Sequence, residues 1–342
     1  MVAEYREEPC RSALNRVRGM PFAWSLNPYM GCAHRCTFCY VRAFERRADR
    51  PSGEAYGRSI RVKVNVVEQL RRELARRSWR GESVAIGAAT DPYQPAEGRY
   101  RLTRGSITAL SEAANPFGII TRGPLIVRDV DVLVEASRRA DVNVTFSVPT
   151  LDLDIWRTTE PGTAPPRQRL RALRTLVDSG VRAGVGVAPI LPGLSDRPDL
   201  LADVIKAARD AGAVSLWANV LYLRPGTREH FLDHLARDWP ELLPRYERLY
   251  AGRAYLAGST TEPIQRRVRD LRASVSIADR REIRPEDGRP VPIAEVQVAT
   301  RSPKSTRRLH GRSTRDPGRP SRPGRSQGEP VSEIARQLAF AL

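Results

Sequence analysis

A strand-helix rhythm constrains this chain more than any other feature. Short runs rich in apolar residues begin at Val84, Gly118, Val142, Val181 and Val214, spaced 34, 24, 39 and 33 residues apart, close to the ~30 residues or more of a βαβ unit. Helical patterns fill the gaps. Ile107, Leu110 and Ala114 precede Asn115-Pro116, and Val130, Leu133 and Val134 fall at i, i+3 and i+4. Leu170, Leu173, Leu176 and Val177 run to Gly180, a suitable residue just past a helix end. Leu201, Val204, Ile205 and Ala208 are bracketed by Asp196 as N-cap, Pro198 in the first turn and Gly212 at the end. With a first strand at 22–26, the chain contains six βα units. Such units, joined by right-handed crossovers, predict an α/β fold, a partial (β/α)6 TIM-like barrel. Full closure takes eight, and the roughly 230 residues already used leave no room for two more.

The flanks are read from composition and pattern. Residues 1–20 carry Cys10 without strong periodicity and are expected to be an irregular lead-in. Ile60 and Val62 alternate with Arg61 and Lys63 as in a half-exposed strand, and Val67, Leu70 and Leu74 continue on one helical face. Both belong to an elaboration between the first two core strands. A helical stretch at 227–250 is interrupted by Pro240 and Pro244. The barrel therefore spans 21–250, followed by a small appendage at 251–300 with a helix at 261–274, and by a basic, irregular extension at 301–342 expected to be disordered. The net charge of +18 invites a nucleic-acid partner for the basic surface and tail. Nine basic residues between Arg301 and Arg325 face Asp316 alone, so +8 of that charge lies in the tail. Only Lys63, Lys206 and Lys304 are lysines, which suits a GC-rich coding bias better than a dedicated basic surface. A charge run of this kind is more often a solvated segment than a specific binding surface.

Three of the four cysteines lie within eight residues, as Cys32-x3-Cys36-x2-Cys39. Three thiolates can converge on one inorganic centre, and they leave one ligand position unfilled. Clustered cysteines without a disulfide framework suit a reducing compartment. No charge-free apolar stretch reaches the ~20 residues of a membrane span, and the first residues lack an apolar signal region. The expected address is the cytoplasm, with no membrane partner. Zinc would need Cys10 or His34 as a fourth ligand. Structural zinc normally uses a second Cys or His arm, and none follows Cys39, so zinc is disfavoured.

Sites in parallel α/β folds form at the carboxyl ends of the strands. The rhythm places there the cysteine loop, then Ala88, Ala89, Thr90, Asp91, Tyr93, Gln94 and Glu97, then Thr121 and Arg122. Ser147 and Pro149, Ala188 and Pro189, and Tyr222 and Arg224 follow. Small residues, hydroxyls and single charges on one rim suit a cofactor with a charged amino-acid end and a purine end.

These residues resemble a known family. Cys-x3-Cys-x2-Cys followed by an aromatic, opening a six-unit partial barrel, is similar to the radical S-adenosylmethionine superfamily. The run Asn27-Pro-Tyr-Met-Gly-Cys32-Ala-His-Arg-Cys36-Thr-Phe-Cys39-Tyr40 resembles its spore photoproduct lyase-like branch, as do Thr90-Asp-Pro-Tyr-Gln-Pro95 and Glu160-Pro161, and the resemblance covers 21–250. It implies a [4Fe–4S] cluster on Cys32, Cys36 and Cys39, whereas an ordinary electron-transfer cluster uses four cysteines. The open iron is then filled by S-adenosylmethionine, whose reductive cleavage gives a 5′-deoxyadenosyl radical that abstracts hydrogen from a substrate. An electron donor such as flavodoxin or ferredoxin is the implied partner.

The resemblance also implies roles. Ala88, Ala89 and Thr90 replace the small-residue motif near the methionine amino group, with Asp91 adding a charge. Arg122 stands where the branch has a basic residue for the methionine carboxylate, Ser147 is the candidate for ribose, and Ala188 and Pro189 for adenine. Tyr40 packs beside the cofactor, and His34 and Phe38 shield the cluster. Plainer readings stand beside these: Asp-Pro opens turns, Arg122 is one of 54 arginines, and Tyr93, Gln94 and Glu97 either face substrate or close their loop. His230 and His234, four apart on a helix, read as a solvated face because no carboxylate motif accompanies them. The substrate is unreadable. A DNA lesion-reversing lyase is the alternative activity, from which the sequence departs. The lyase's hydrogen-donating cysteine is replaced by Ala88 and Ala89, its tyrosine by Phe38, and no cysteine follows Cys39. The non-enzymatic alternative is a metal-stapled nucleic-acid-binding protein.

Overall fold

The computed structural model describes residues 3–18, 20 and 22–279. Six parallel strands form its centre in chain order: β3 (Trp24–Leu26), β6 (Val84–Ile86), β7 (Phe117–Thr121), β8 (Val142–Ser147), β9 (Ala183–Ile190) and β10 (Ser215–Val220). The sheet is open. An antiparallel strand, β2 (Leu14–Arg16), covers the β3 edge, and a two-residue parallel strand, β11 (Ala278–Asp279), covers the β10 edge. A separate sheet holds β1 (Glu4–Glu8), β5 (Ser59–Lys63) and β4 (Tyr29–Met30), with β5 in the middle.

The two faces of the central strands differ in chemistry. Phe117 and Ile119, Val142, Val144 and Phe146, Ala183, Val185 and Val187, and Leu216, Ala218 and Val220 join one continuous apolar core with Leu133, Leu173 and Leu201 of the helices. Apart from Ile120 and Trp217, the intervening positions are small or polar: Gly118, Asn143, Thr145, Ser147, Gly184, Gly186, Ser215 and Asn219. Alternation therefore glues the helices to one face and leaves room on the other. Each fully buried Leu, Val or Phe on the helix side contributes about 1.5–3 kcal/mol. On the inner face, a Cβ on Gly186 would lie 2.7 Å from Trp217 Cζ2, so the glycine is what lets that indole cross the sheet.

The helices follow the expected rhythm. They include Val41–Arg47, Val66–Leu74, Leu102–Glu112, Val130–Arg139, Pro166–Asp178, Pro198–Asp210, Thr227–Asp238 and Gly258–Ser274. Gly180 takes φ +86° just beyond its helix, and Pro240 and Pro244 divide the 227–250 stretch as expected.

Four readings need correction. The described part of the lead-in is not wholly irregular: Glu4–Glu8 is a polar segment that becomes a strand only because β5 supplies its ladder and Tyr100 packs edge-on against Tyr5. Asp196 is not an N-cap; Arg197 holds that position, and Asp196 Oδ1 accepts the Gly193 amide at 2.7 Å. Ala114 lies beyond its helix with positive φ. Finally, the stretch after 250 contributes to the main sheet through β11 and the Gly258–Ser274 helix, whose Gln265 donates to the Ala218 carbonyl. The tail at 301–342 and the whole 280–300 stretch lie outside the described residues. Among the described residues no helix is long and apolar enough to cross a membrane.

Candidate active site

The cysteine loop leaves β3 and is held from three sides. From the loop after β6, Thr90 Oγ1 donates to the Gly31 carbonyl at 2.7 Å, and Gln94 bridges Gly31 O and the Ala33 amide. From the loop after β8, Thr159 O accepts the Thr37 amide and the Gly162 amide reaches His34 O, each near 3 Å. From the third side comes Arg42, on the first turn after Cys39. Its buried guanidinium donates to the carbonyls of Arg35, Cys36, Ser52 and Gly53 and lies over the Tyr56 ring. Five donors in a planar fork can satisfy several loop carbonyls that a helix or sheet would otherwise have to pair. The fixed loop presents Cys32, Cys36 and Cys39 to a single cavity.

Among the described residues, one set of three Cys, His, Asp or Glu side chains has all its donor atoms within 4.8 Å of one another, and that set does not include the cysteines. A single zinc ion bound at 2.3 Å would draw three sulfurs to about 3.8 Å apart. As they stand, the three thiols are not all within 4.8 Å of one another. Cys10 takes no part: its backbone is bonded to Asn65, and it lies outside the cavity.

Charges around the loop are arranged in two buried groups. Asp91 Oδ1 accepts the Thr121 hydroxyl and the Tyr93 amide, Oδ2 accepts the Arg122 amide, and His34 Nδ1 lies 3.3 Å from Oδ2. Burial opposes the Asp91 charge, but His34 and these donors outweigh it and hold the carboxyl at about 2. Burial likewise opposes the His34 charge, and Cys32 and Asp91 together raise the ring to about 10. In the second group, Glu160 is fully buried. It accepts Arg122 Nε at 2.6 Å and Arg169 Nη1 at 3.1 Å, and Arg122 Nη2 also reaches the Ala188 carbonyl. Burial penalises the Glu160 charge, yet Arg169 and Arg122 keep the carboxyl below its ordinary range.

A second, mostly apolar cavity adjoins the first. The two share Cys36, Cys39, Tyr40, Gly87, Ala88, Ile120 and Arg122. Ser147, Ala188 and Pro189 form one wall of the second cavity, and Trp217, Asn219 and Tyr222 of β10 and its loop form another. Ser147 donates to the Ala188 carbonyl at 2.9 Å, and Tyr40 donates to the Ala88 carbonyl. The Tyr222 ring is 6.1 Å from Tyr40 and stacks on Tyr255 at 5.2 Å. Gly87 sits where the cavities meet, at φ +90°, and a Cβ there would fall 2.6 Å from the Ile120 carbonyl.

The structure thus gathers Cys32, Cys36, Cys39, Tyr40, Arg122, Ser147, Ala188 and Pro189 around one space. Thr90 and Asp91 line its edge, but their polar atoms are bonded to the protein and brace the loops. Ala89 lines neither cavity; its amide donates to Asn27 Oδ1 at 2.8 Å. Glu97 closes its loop, fully buried, accepting from Tyr29, Thr103, Arg104 and Arg128. Sequence reasoning missed Arg42, Tyr56, Trp217 and Asn219. The period of two along β10 would have placed Trp217 and Asn219 on the inner face. Trp217 Nε1 is buried without a protein acceptor, in a residue that borders the cavity.

The sequence matches the Radical SAM superfamily over residues 26–205. An uncharacterized protein of Mycobacterium tuberculosis (strain ATCC 25618 / H37Rv) is 39% identical over 286 residues, covering 82% of this chain and 84% of that one. In fold, the chain is similar to a spore photoproduct lyase mutant with a dinucleoside spore photoproduct. The TM-score is 0.60 and the identity 16%, with 79% of each chain covered. Another mutant of that enzyme, with bound AdoMet and the photoproduct, gives a TM-score of 0.54 and 15% identity over 74% of this chain and 82% of that one.

Proposed function

The chain belongs to the radical SAM superfamily, and from that premise we propose that its two joined cavities form the active site of an enzyme that abstracts hydrogen from a substrate seated between β8 and β10. The family's cofactors are a [4Fe–4S] cluster and S-adenosylmethionine, which together supply a 5′-deoxyadenosyl radical when bound. The residues fit them. Three thiols border the first cavity, no fourth cysteine accompanies them there, and a guanidinium stands at the junction.

Cys32, Cys36 and Cys39 hold the cluster. Arg122 binds the methionine carboxylate: Glu160 fixes its Nε side, so its fork is pre-aimed and stays protonated. Ser147 and Asn219 offer polar atoms to the ribose, and Ala188 and Pro189 give the adenine a flat wall. Phe38, Tyr40, Trp217 and Tyr222 line the rest, excluding water from the reacting centre. Asp91 and Thr90 act at one remove, keeping His34 and Gly31 in place. The cytoplasm and a flavodoxin- or ferredoxin-type donor belong to the same reading.

The observation that carries this proposal is the three-thiol cavity opening directly onto the arginine. Anaerobic reconstitution with iron and sulfide, followed by S-adenosylmethionine and dithionite, is expected to yield 5′-deoxyadenosine. Zinc held by the cysteines in place of iron, with no cleavage product, would overturn it. Repair of a nucleic-acid lesion is supported by the motif resemblance and the fold likeness, but this chain has no cysteine after Cys39 to return a hydrogen atom.

A further inference from the structure

The set of donor atoms noted above as lying within 4.8 Å of one another belongs to Glu54, His230 and His234, outside the cysteine cavity. The two histidines lie one turn apart on the Thr227–Asp238 helix, with ring centroids 4.2 Å apart. Glu54 arrives from the segment between the cysteine loop and β5. Its Oε1 lies 3.2 Å from His234 Nε2 and 3.9 Å from His230 Nδ1.

We propose that Glu54, His230 and His234 form a second metal site, for a divalent first-row transition ion of the zinc type. Two imidazoles and one carboxylate, with positions left for water, are a donor set such ions take. Donors about 2.0–2.1 Å from a tetrahedral ion stand about 3.3 Å apart. The His234–Glu54 pair already has that separation, the His230–Glu54 pair must close by roughly half an ångström, and all three donors already lie within 4.8 Å of one another, within reach of a side-chain rotation. His234 is also oriented for ligation. Its Nδ1 lies 2.8 Å from the His230 carbonyl, an atom that can only accept, so Nδ1 is the donor there, and Nε2, facing Glu54, is the nitrogen an ion would take in place of a proton. Arg35 Nη2 pairs with the other Glu54 oxygen at 3.2 Å, which leaves Oε1 as the ligand.

The site has a consequence for the cysteine loop. Thr227, at the start of the same helix, donates to the Cys39 carbonyl at 3.1 Å. Tyr56, two residues after Glu54, approaches Cys39 Sγ at 3.8 Å. An ion here fastens the 52–57 segment to the helix and so closes a ring of contacts around Cys39.

The test uses the full-length, anaerobically reconstituted protein. Zinc sulfate is added, unbound metal is removed by gel filtration, and zinc and iron are counted. The expected result is one zinc per chain with iron unchanged, and zinc X-ray absorption showing nitrogen and oxygen neighbours without the sulfur shell at about 2.3 Å that a thiolate site gives. Glu54→Gln, a change at an exposed side chain, and His234→Gln should each weaken zinc binding at least tenfold. Absence of bound zinc, zinc gained with a sulfur shell as iron is lost, or zinc retained at full affinity by Glu54→Gln would overturn the proposal. Because zinc is read apart from 5′-deoxyadenosine, loss of this site leaves the three-cysteine reading untouched.

Discussion

Replacing Glu160 by Gln removes the one carboxylate shared by Arg122 and Arg169, both of whose side chains are largely or wholly buried. Removing one partner of a buried ion pair costs about 3–5 kcal/mol, because the remaining charge is left uncompensated. Arg169 keeps bonds to Ser147 O, Ala164 O and Thr163 Oγ1, and the amide oxygen of Gln can still accept one donor. The lower end, about 3 kcal/mol, is therefore expected. With a urea slope of about 3 kcal/mol per M, the unfolding midpoint of the reduced, metal-free chain should fall by about 1 M. The pH dependence supplies a second reading. A carboxyl held below its unfolded value contributes stability that is fully present above about pH 4.3 and is lost as pH falls through the folded value. Glu160→Gln should lack that acid-side loss. A midpoint shift equivalent to less than 1 kcal/mol, with an unchanged acid limb, would refute the buried three-charge account.

Three further outcomes follow from the geometry. Gly186→Ala should cost about 1–3 kcal/mol by overpacking against Trp217 and should raise KM for S-adenosylmethionine, since the displaced indole borders the cavity; unchanged stability and KM would show that the contact relaxes freely. Cys36→Ala should abolish the visible absorbance of the reconstituted cluster while Cys10→Ala leaves it, and loss in both would make Cys10 a ligand. Asp91→Asn should flatten the acid dependence of stability between about pH 4 and 2, because the native carboxyl sits at about 2 and its contribution is lost as pH falls through that range; a urea titration at stepped pH reads this.

The architecture was legible because two regularities repeat: period two in the strands and 3.6 in the helices. Six units and their order followed from them, as did the rim that gathers Arg122, Ser147 and Pro189. What escaped has a physical reason in each case. Glu4–Glu8 has no apolar pattern, and its strand exists through pairing with β5, which no local signal announces. Arg42 stood in a helix start rich in arginines, and only the folded loop reveals four carbonyls converging on it. Asp91 and Thr90 lay in the right loop, but the sequence could not tell a residue that touches the cavity contents from one that braces their frame. His230 and His234 lacked a carboxylate in sequence, and folding brings Glu54 to them from far earlier in the chain.

The central claim is that three cysteines hold the cluster and leave one iron for S-adenosylmethionine. Electron paramagnetic resonance of the reduced, reconstituted protein tests it most directly, recorded with and without S-adenosylmethionine and repeated with Cys10→Ala. The account predicts a spectrum that changes on adding S-adenosylmethionine, in wild type and in Cys10→Ala alike. An unaltered spectrum, or a cluster that needs Cys10 to form, would contradict it.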